Sequence, residues 1–234
     1  MKTDVVALKD ASKVSLFGGK ATKLAKMLQA GMAVPNGLAV GLAAFDDSGQ
    51  LTAVARAKLK PFLRNGISYA VRSSATVEDA ADKSWAGQFE SYLFVAPTDV
   101  IVKVEQCHAA IKARARAYAA ETSKVQNISV GVVVQEMIDP AYAGVLFTNN
   151  PVSGAHELVV EYVNGVGERL VSGKTTPEDF TWNRKTNTIT PSKLIPFDAQ
   201  KLIQADLTIE ALFDNTPQDI EWAFILVDQN HTTQ

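Results

Sequence analysis

One cysteine, Cys107, is all the thiol in 234 residues. A disulfide within the chain is thereby excluded, and a reducing, cytoplasmic location is expected. An excess of charge of one sign is also missing. The 23 Lys and Arg against 25 Asp and Glu leave a net charge of −2, which gives no electrostatic case for nucleic acid or an anionic membrane as partner. Met1-Lys2-Thr3-Asp4 opens the chain without the apolar core of a signal peptide, and no apolar run is long enough to span a bilayer. The three histidines, His108, His156 and His231, show no metal-ligand spacing, and no cysteine pair could help them. Nor does any G-x-S-x-G occur, so a hydrolase-type nucleophile has no support.

What is present describes an ordinary globular protein: 47% hydrophobic, 21% charged, 9 prolines. The length allows one large domain or two small lobes. Gly19 to Ala30 has helical spacing through Leu24, Met27 and Leu28, with Gly31 as its stop. Leu51 to Leu63 also reads as a helix, ended or kinked by Pro61. Pro97-Thr98-Asp99 opens a long amphipathic helix whose apolar stripe is Val100, Val104, Cys107 and Ile111. That stripe makes Cys107 a buried small hydrophobe rather than a nucleophile. Ile67 to Val71 and Phe89 to Val95 look like strands. Ile128 to Ile138 is rich in valine and reads as a buried central strand, with Tyr142 to Thr148 and Glu157 to Val163 as its antiparallel neighbours. A hairpin around Lys185-Thr186-Asn187, a helix from Ala199 to Phe213 and a strand from Ile220 to Val227 complete the chain. Strands in runs without strict βαβ alternation predict an α+β fold, and the one expected lobe boundary lies near Pro97.

Several short motifs could carry chemistry. Arg72-Ser73-Ser74-Ala75-Thr76-Val77-Glu78-Asp79 delivers a guanidinium from a strand into a hydroxyl-rich turn, an arrangement suited to phosphate oxygens. A surface arginine beside a capped helix start would give the same residues. Phe17-Gly18-Gly19-Lys20 sets a lysine where a helix begins, and helix-start N–H groups favour anions. It is not a Walker A loop, because the G-x-x-x-x-G-K-[ST] spacing is absent. Val132-Val133-Val134-Gln135-Glu136-Met137 ends a buried strand on groups that can read an adenine edge, although any central strand must end in something polar. Asn164-Gly165-Val166-Gly167-Glu168 looks like a phosphate loop but lacks the third glycine of a dinucleotide fold. In Asp219-Ile220-Glu221-Trp222, strand alternation puts both carboxylates on one face. Two such carboxylates can hold Mg²⁺ against a triphosphate, or simply form a polar sheet edge.

Taken in order, these motifs resemble one family. Gly18-Gly19-Lys20-Ala21-Thr22-Lys23-Leu24-Ala25, Val71 through Asp79, Ser84-Trp85-Ala86-Gly87-Gln88-Phe89-Glu90-Ser91, Gln135-Glu136-Met137, Gly144 through Pro151 and Gln218-Asp219-Ile220-Glu221-Trp222 are similar to the nucleotide-binding domain of pyruvate phosphate dikinase and phosphoenolpyruvate synthase, a domain also shared by rifampicin phosphotransferase. The resemblance runs nearly end to end. It implies an ATP-grasp fold, two α+β lobes clamping ATP with Mg²⁺, here residues 1–97 and 98–234. The first lobe is shortened between Phe45 and Ile67.

By the same resemblance Lys20 and Arg72 are the catalytic phosphate ligands, and Gly87 and Ser91 lie along the phosphate path. Gln135, Glu136, Met137 and Ile138 line the adenine pocket. Asp219 and Glu221 serve the metal and ribose end, and Gln234 is the counterpart of a glutamine on the family's last strand. The implied activity is passage of the β-phosphate of ATP to a histidine on a separate swivelling domain. A non-catalytic ATP-binding regulatory module stays open as the alternative, because the first lobe is shortened and the arginine of the family's Gln-x-Arg strand has no counterpart.

Overall fold

In the computed structural model, residues 4–75, 91–122, 130–167 and 176–225 are described. Their contacts divide the chain into two compact units, Met1–Met137 and Ile138–Gln234.

The first unit is built on a five-stranded antiparallel sheet in the order β1-β2-β5-β3-β4. Its strands are β1 (Val5–Ala7), β2 (Gly37–Val40), β3 (Tyr69–Ala75), β4 (Ser91–Val95) and β5 (Val130–Glu136). The valine run of β5 is central and covered on both faces: Val132, Val133 and Val134 are all fully buried. Alternation sends Val132 and Val134 to one face, where Tyr69 and Val71 meet α3 (Val100–Thr122) through Val100, Val104, Cys107 and Ile111. Val133 faces the other way and packs with Phe17, Ala21 and Ala25 of α1 (Val14–Gln29). Cys107 is buried on its stripe, as the spacing predicts. The helix expected after Leu51 is α2 (Ala53–Leu59), capped by Thr52, whose hydroxyl accepts from the Ala55 N–H at 3.2 Å. It passes into a 3-10 turn at Lys60–Phe62, where Pro61 sits.

The second unit is a separate five-stranded antiparallel sheet, β10-β6-β7-β8-β9. It comprises β6 (Tyr142–Phe147), β7 (Leu158–Asn164), β8 (Glu178–Asn183), β9 (Thr188–Pro191) and β10 (Asp219–Phe224), and among the described residues the unit also carries the helix α4 (Ala199–Leu212). Phe180, Trp182, Tyr162 and Leu158 form the core with Leu202 and Ile203 of α4. Two sheets whose neighbouring strands are all antiparallel, with helices packed on them, agree with an α+β architecture.

Two expectations are corrected. β6 and β7 are not neighbours of β5. Both edges of β5 are occupied by β2 and β3 (Leu38↔Val134 and Val71↔Val134), so β6 pairs instead with β7 and β10. The division between units also falls at Met137, not near Pro97, because α3 contributes its whole apolar stripe to the first sheet's core. Among the described residues no helix is long and apolar enough to cross a membrane.

Candidate functional site

The Gly-Gly-Lys and Arg-Ser-Ser motifs meet in the first unit. Helix α1 is broken at Gly18, whose φ of 81° and ψ of 173° are not helical. The continuous helix therefore starts at Gly19-Lys20, as the sequence predicts. A left-handed φ strains any residue with a β-carbon, and space forbids one as well. A Cβ on Gly18 would lie 1.8 Å from the carbonyl oxygen of Ser74. The helix start lies directly against β3, and the Ala21 N–H donates to Ser74 Oγ at 2.9 Å in a buried bond. Across the strand pair, Ser74 is registered with Gly131 of β5. A Cβ on Gly131 would come within 2.4 Å of the Phe17 carbonyl. Two glycines and one serine thus seat the first turn of the Lys20 helix on the sheet.

Arg72 lies two residues before Ser74 on β3, so both point to the α1 face. Directly paired with Arg72 are Val133 on one side and Ser91 on the other. Cα partners in an antiparallel pair share a face, which places Arg72 and Ser91 side by side. Ser91 is exposed, whereas Lys20 and Arg72 are partly buried. The structure therefore gathers Lys20, Arg72 and Ser91 at one face of one sheet. Gly87 and Gln234 lie outside the described residues, as do Thr76 to Asp79 of the arginine octet.

At the exit of β5 the four residues proposed for adenine divide. Gln135 is buried on the Arg72 face and its Nε2 donates to the Pro35 carbonyl at 3.1 Å. Glu136 is bound by Arg64 (2.6 Å) and Asn36 (3.1 Å). The N–H groups of Glu136 and Met137 donate to the Asn36 and Ser68 carbonyls, both at 2.9 Å. Two main-chain donors of the strand exit are thus engaged in tying β5 to its neighbours. Ile138 is the first residue of the second unit.

In the second unit, Asp219 and Glu221 are exposed on one face of β10, while Ile220 and Trp222 pack into the core from the other. That is the alternation the sequence predicts. The start of β10 is held to the end of β6 by a reciprocal pair: Thr148 N–H to the Gln218 carbonyl at 3.0 Å, and Gln218 N–H to Thr148 Oγ1 at 2.9 Å. Behind Thr148 sits a charged cluster the sequence did not reveal. Arg184 donates to the Thr148 carbonyl at 3.1 Å, contacts Asp206 at 2.9 and 3.0 Å, and reaches Glu210 at 3.1 Å. His156 completes it, 3.0 Å from Glu210. Burial pushes the Asp206 carboxyl up to about 6, the Arg184 guanidinium opposing the rise and Glu210 adding to it. Asp206 and Glu210 are four apart on α4, a spacing that could have flagged the cluster, but Arg184 stands in a turn with no pattern to point at them.

A cleft of about 400 Å³, lined by Tyr142, Tyr162, Asn164, Thr176, Glu178 and Leu194, opens at the other end of this sheet from Asp219. Tyr162 donates to Glu178 at 3.1 Å, and burial, with that carboxylate, pushes the phenol up to about 12. None of the predicted site residues lines it. Among the described residues no group of three or more His, Cys, Asp or Glu is arranged to hold a metal ion. Asp219 and Glu221 still offer two hard oxygen donors, which fits Mg²⁺, an ion that takes one or two carboxylates and completes its shell with phosphate and water.

A lysine at a helix start, seated on the strand that carries an arginine, is an arrangement suited to phosphate oxygens. The sequence matches the family described as pyruvate phosphate dikinase, AMP/ATP-binding domain, over residues 50–196, more than half of the chain, and the chain belongs to that family. Arg72, Ser91 and Gln135 to Ile138 fall within the matched span; Lys20, Asp219 and Glu221 fall outside it. The chain is 30% identical to a probable phosphoenolpyruvate synthase of Archaeoglobus fulgidus, over 92% of its own length and 38% of that protein's. It is 34% identical to the prodigiosin synthesizing transferase PigC of Serratia marcescens, over 74% and 23%. To a rifampicin phosphotransferase of Streptomyces sviceus it is 35% identical, over 68% and 22%. The chain thus spans well under half the length of these relatives. The family resemblance drawn from the motifs is borne out.

Proposed function

We propose that this chain is the ATP-binding component of a dikinase-type phosphotransferase. In this reading it is an ATP-grasp unit that presents ATP so that the β-phosphate passes to a histidine on a separate domain or polypeptide. The observation that carries the reading is the Ala21–Ser74 hydrogen bond, which puts the Lys20 helix start on the strand of Arg72, with Ser91 alongside.

Lys20 would supply a point charge and Arg72 a fork of donors for the phosphate oxygens, with Gly87 and Ser91 along the phosphate path. Gln135 through Ile138 would border the adenine. Asp219 and Glu221 would hold Mg²⁺, which would neutralise phosphate charge. An acceptor nitrogen attacks the β-phosphorus, the bond to the α,β-bridging oxygen breaks and AMP leaves; water then cleaves the β,γ bond, so that the acceptor keeps the β-phosphate and the γ-phosphate departs as inorganic phosphate. Such a reaction asks the protein for positioning and charge stabilisation rather than for a nucleophile of its own. That agrees with the family membership and with the weak case for any nucleophilic group in this sequence. The relatives act on different final substrates, to judge by their names, so the acceptor chemistry belongs to parts other than this one.

The test is to incubate the chain with β-labelled ATP and a cell extract and to follow AMP and acid-labile protein phosphate. One protein should gain label, and Lys20→Ala or Arg72→Ala should slow transfer by about a hundredfold or more. ATP binding with no AMP and no labelled protein would overturn the catalytic reading in favour of a regulatory module.

A further inference from the structure

We infer that Ser74 is a positioning residue that fixes Lys20 for its phosphate contact by capping the lysine's helix from the neighbouring strand. The inference rests on the phosphate role proposed above for Lys20.

The first turn of a helix has N–H groups without intrahelical partners, and a side chain just before the helix usually accepts from one of them. Here that place is taken by Gly18, which has no side chain. The cap comes instead from 53 residues away, where Ser74 Oγ accepts from the Ala21 N–H at 2.9 Å. Ser74 is fully buried, so its hydroxyl serves this contact and not solvent. The approach is close enough to exclude a β-carbon at Gly18 and at Gly131 on the strand beyond. Lys20 stands next to Ala21 in sequence, and Arg72 stands two residues from Ser74 on the same face. One hydrogen bond therefore sets the offset between the two cations.

The chemistry of the capping group matters too. Asp or Asn would cap the helix as well as Ser. A carboxylate there would set a negative charge beside a site meant for phosphate, whereas a hydroxyl satisfies the N–H and leaves the positive end of the helix dipole uncompensated.

The test compares Mg·ATP with adenosine by calorimetry in the parent, Ser74→Ala, Lys20→Ala and the double variant. Ser74→Ala should weaken ATP by about five- to tenfold, the equivalent of one hydrogen bond, and leave adenosine unchanged. In the Lys20→Ala background the same substitution should add nothing, since its effect runs through Lys20. Amide exchange in the unliganded protein should show faster exchange at Ala21 in Ser74→Ala. Ser74→Thr and Ser74→Val, alike in shape and different only in the hydroxyl, repeat the comparison if alanine is poorly folded: Thr should bind ATP like the parent and Val should not. Equal loss of ATP and adenosine, an undiminished effect without Lys20, or Thr and Val behaving alike would overturn the inference. A parent that binds adenosine but gains nothing from phosphates would instead sink the phosphate role of Lys20, and the inference with it.

Discussion

Replacing Arg184 with methionine keeps the aliphatic stem and removes the only cation on Asp206 among the contacts described. In the parent one guanidinium touches Asp206 at 2.9 Å, Glu210 at 3.1 Å and the Thr148 carbonyl at 3.1 Å, with the arginine side chain 11% exposed and the aspartate side chain 0%. Removing it leaves a buried carboxylate without its counter-charge, a change that costs about 3–5 kcal/mol. A domain of ordinary stability has only about 5–15 kcal/mol in total. The pH dependence gives a second handle. The Asp206 carboxyl sits at about 6 in the folded protein against 3.8 for the ordinary group. The folded state thus binds the proton more tightly than the unfolded one, and stability falls as pH rises from about 4 through 6. Two units correspond to about 3 kcal/mol that the ionised form lacks at neutral pH. Without the opposing guanidinium the carboxyl rises further, so the deficit of Arg184→Met should be largest near pH 8 and shrink towards pH 5. Urea denaturation of both proteins at several pH values measures this directly. A deficit below about 1 kcal/mol, the scale of a surface ion pair, or one that does not vary with pH, would refute the reasoning.

Gly18→Ala should lower stability by at least about 1–3 kcal/mol from backbone strain alone, with the clash against Ser74 added, and a calorimetric melt indistinguishable from the parent would show that the kink is not required. Glu221→Gln should raise the Mg²⁺ concentration needed for half-maximal ATP binding while adenosine binding stays unchanged. A magnesium titration that overlays the parent would remove Glu221 from the metal role.

Local patterns were readable where one segment determined them. The valine run announced a buried strand, and the Cys107 stripe announced the packed face of α3, because alternation and helical period follow from the backbone alone. Asp219 and Glu221 could be placed on one face for the same reason. What failed was pairing between segments. Adjacency in sequence points β5 to β6 and β7, yet the shorter β2 and the earlier β3 fill both its edges. Site residues were legible as types, lysine at a helix start and arginine beside a strand, although β3 runs on through Ala75 where a turn after Val71 is expected from the sequence. Their juxtaposition was not, because it depends on Gly131 and Ser74 having little or no side chain at a contact that no local pattern encodes. The Arg184 cluster stayed hidden for a like reason: its members come from a turn, a helix and a loop.

The cap on α1 also carries a lesson about folding order. A helix whose first turn is sealed by its own preceding residue can form early and alone, but this one waits for a strand 53 residues downstream. Its positively charged end is assembled only when β3 has been laid into the sheet, so a fragment ending before Tyr69 would hold the lysine without the geometry. Any partial opening that lifts β3 away should erase anion affinity before it erases helix content.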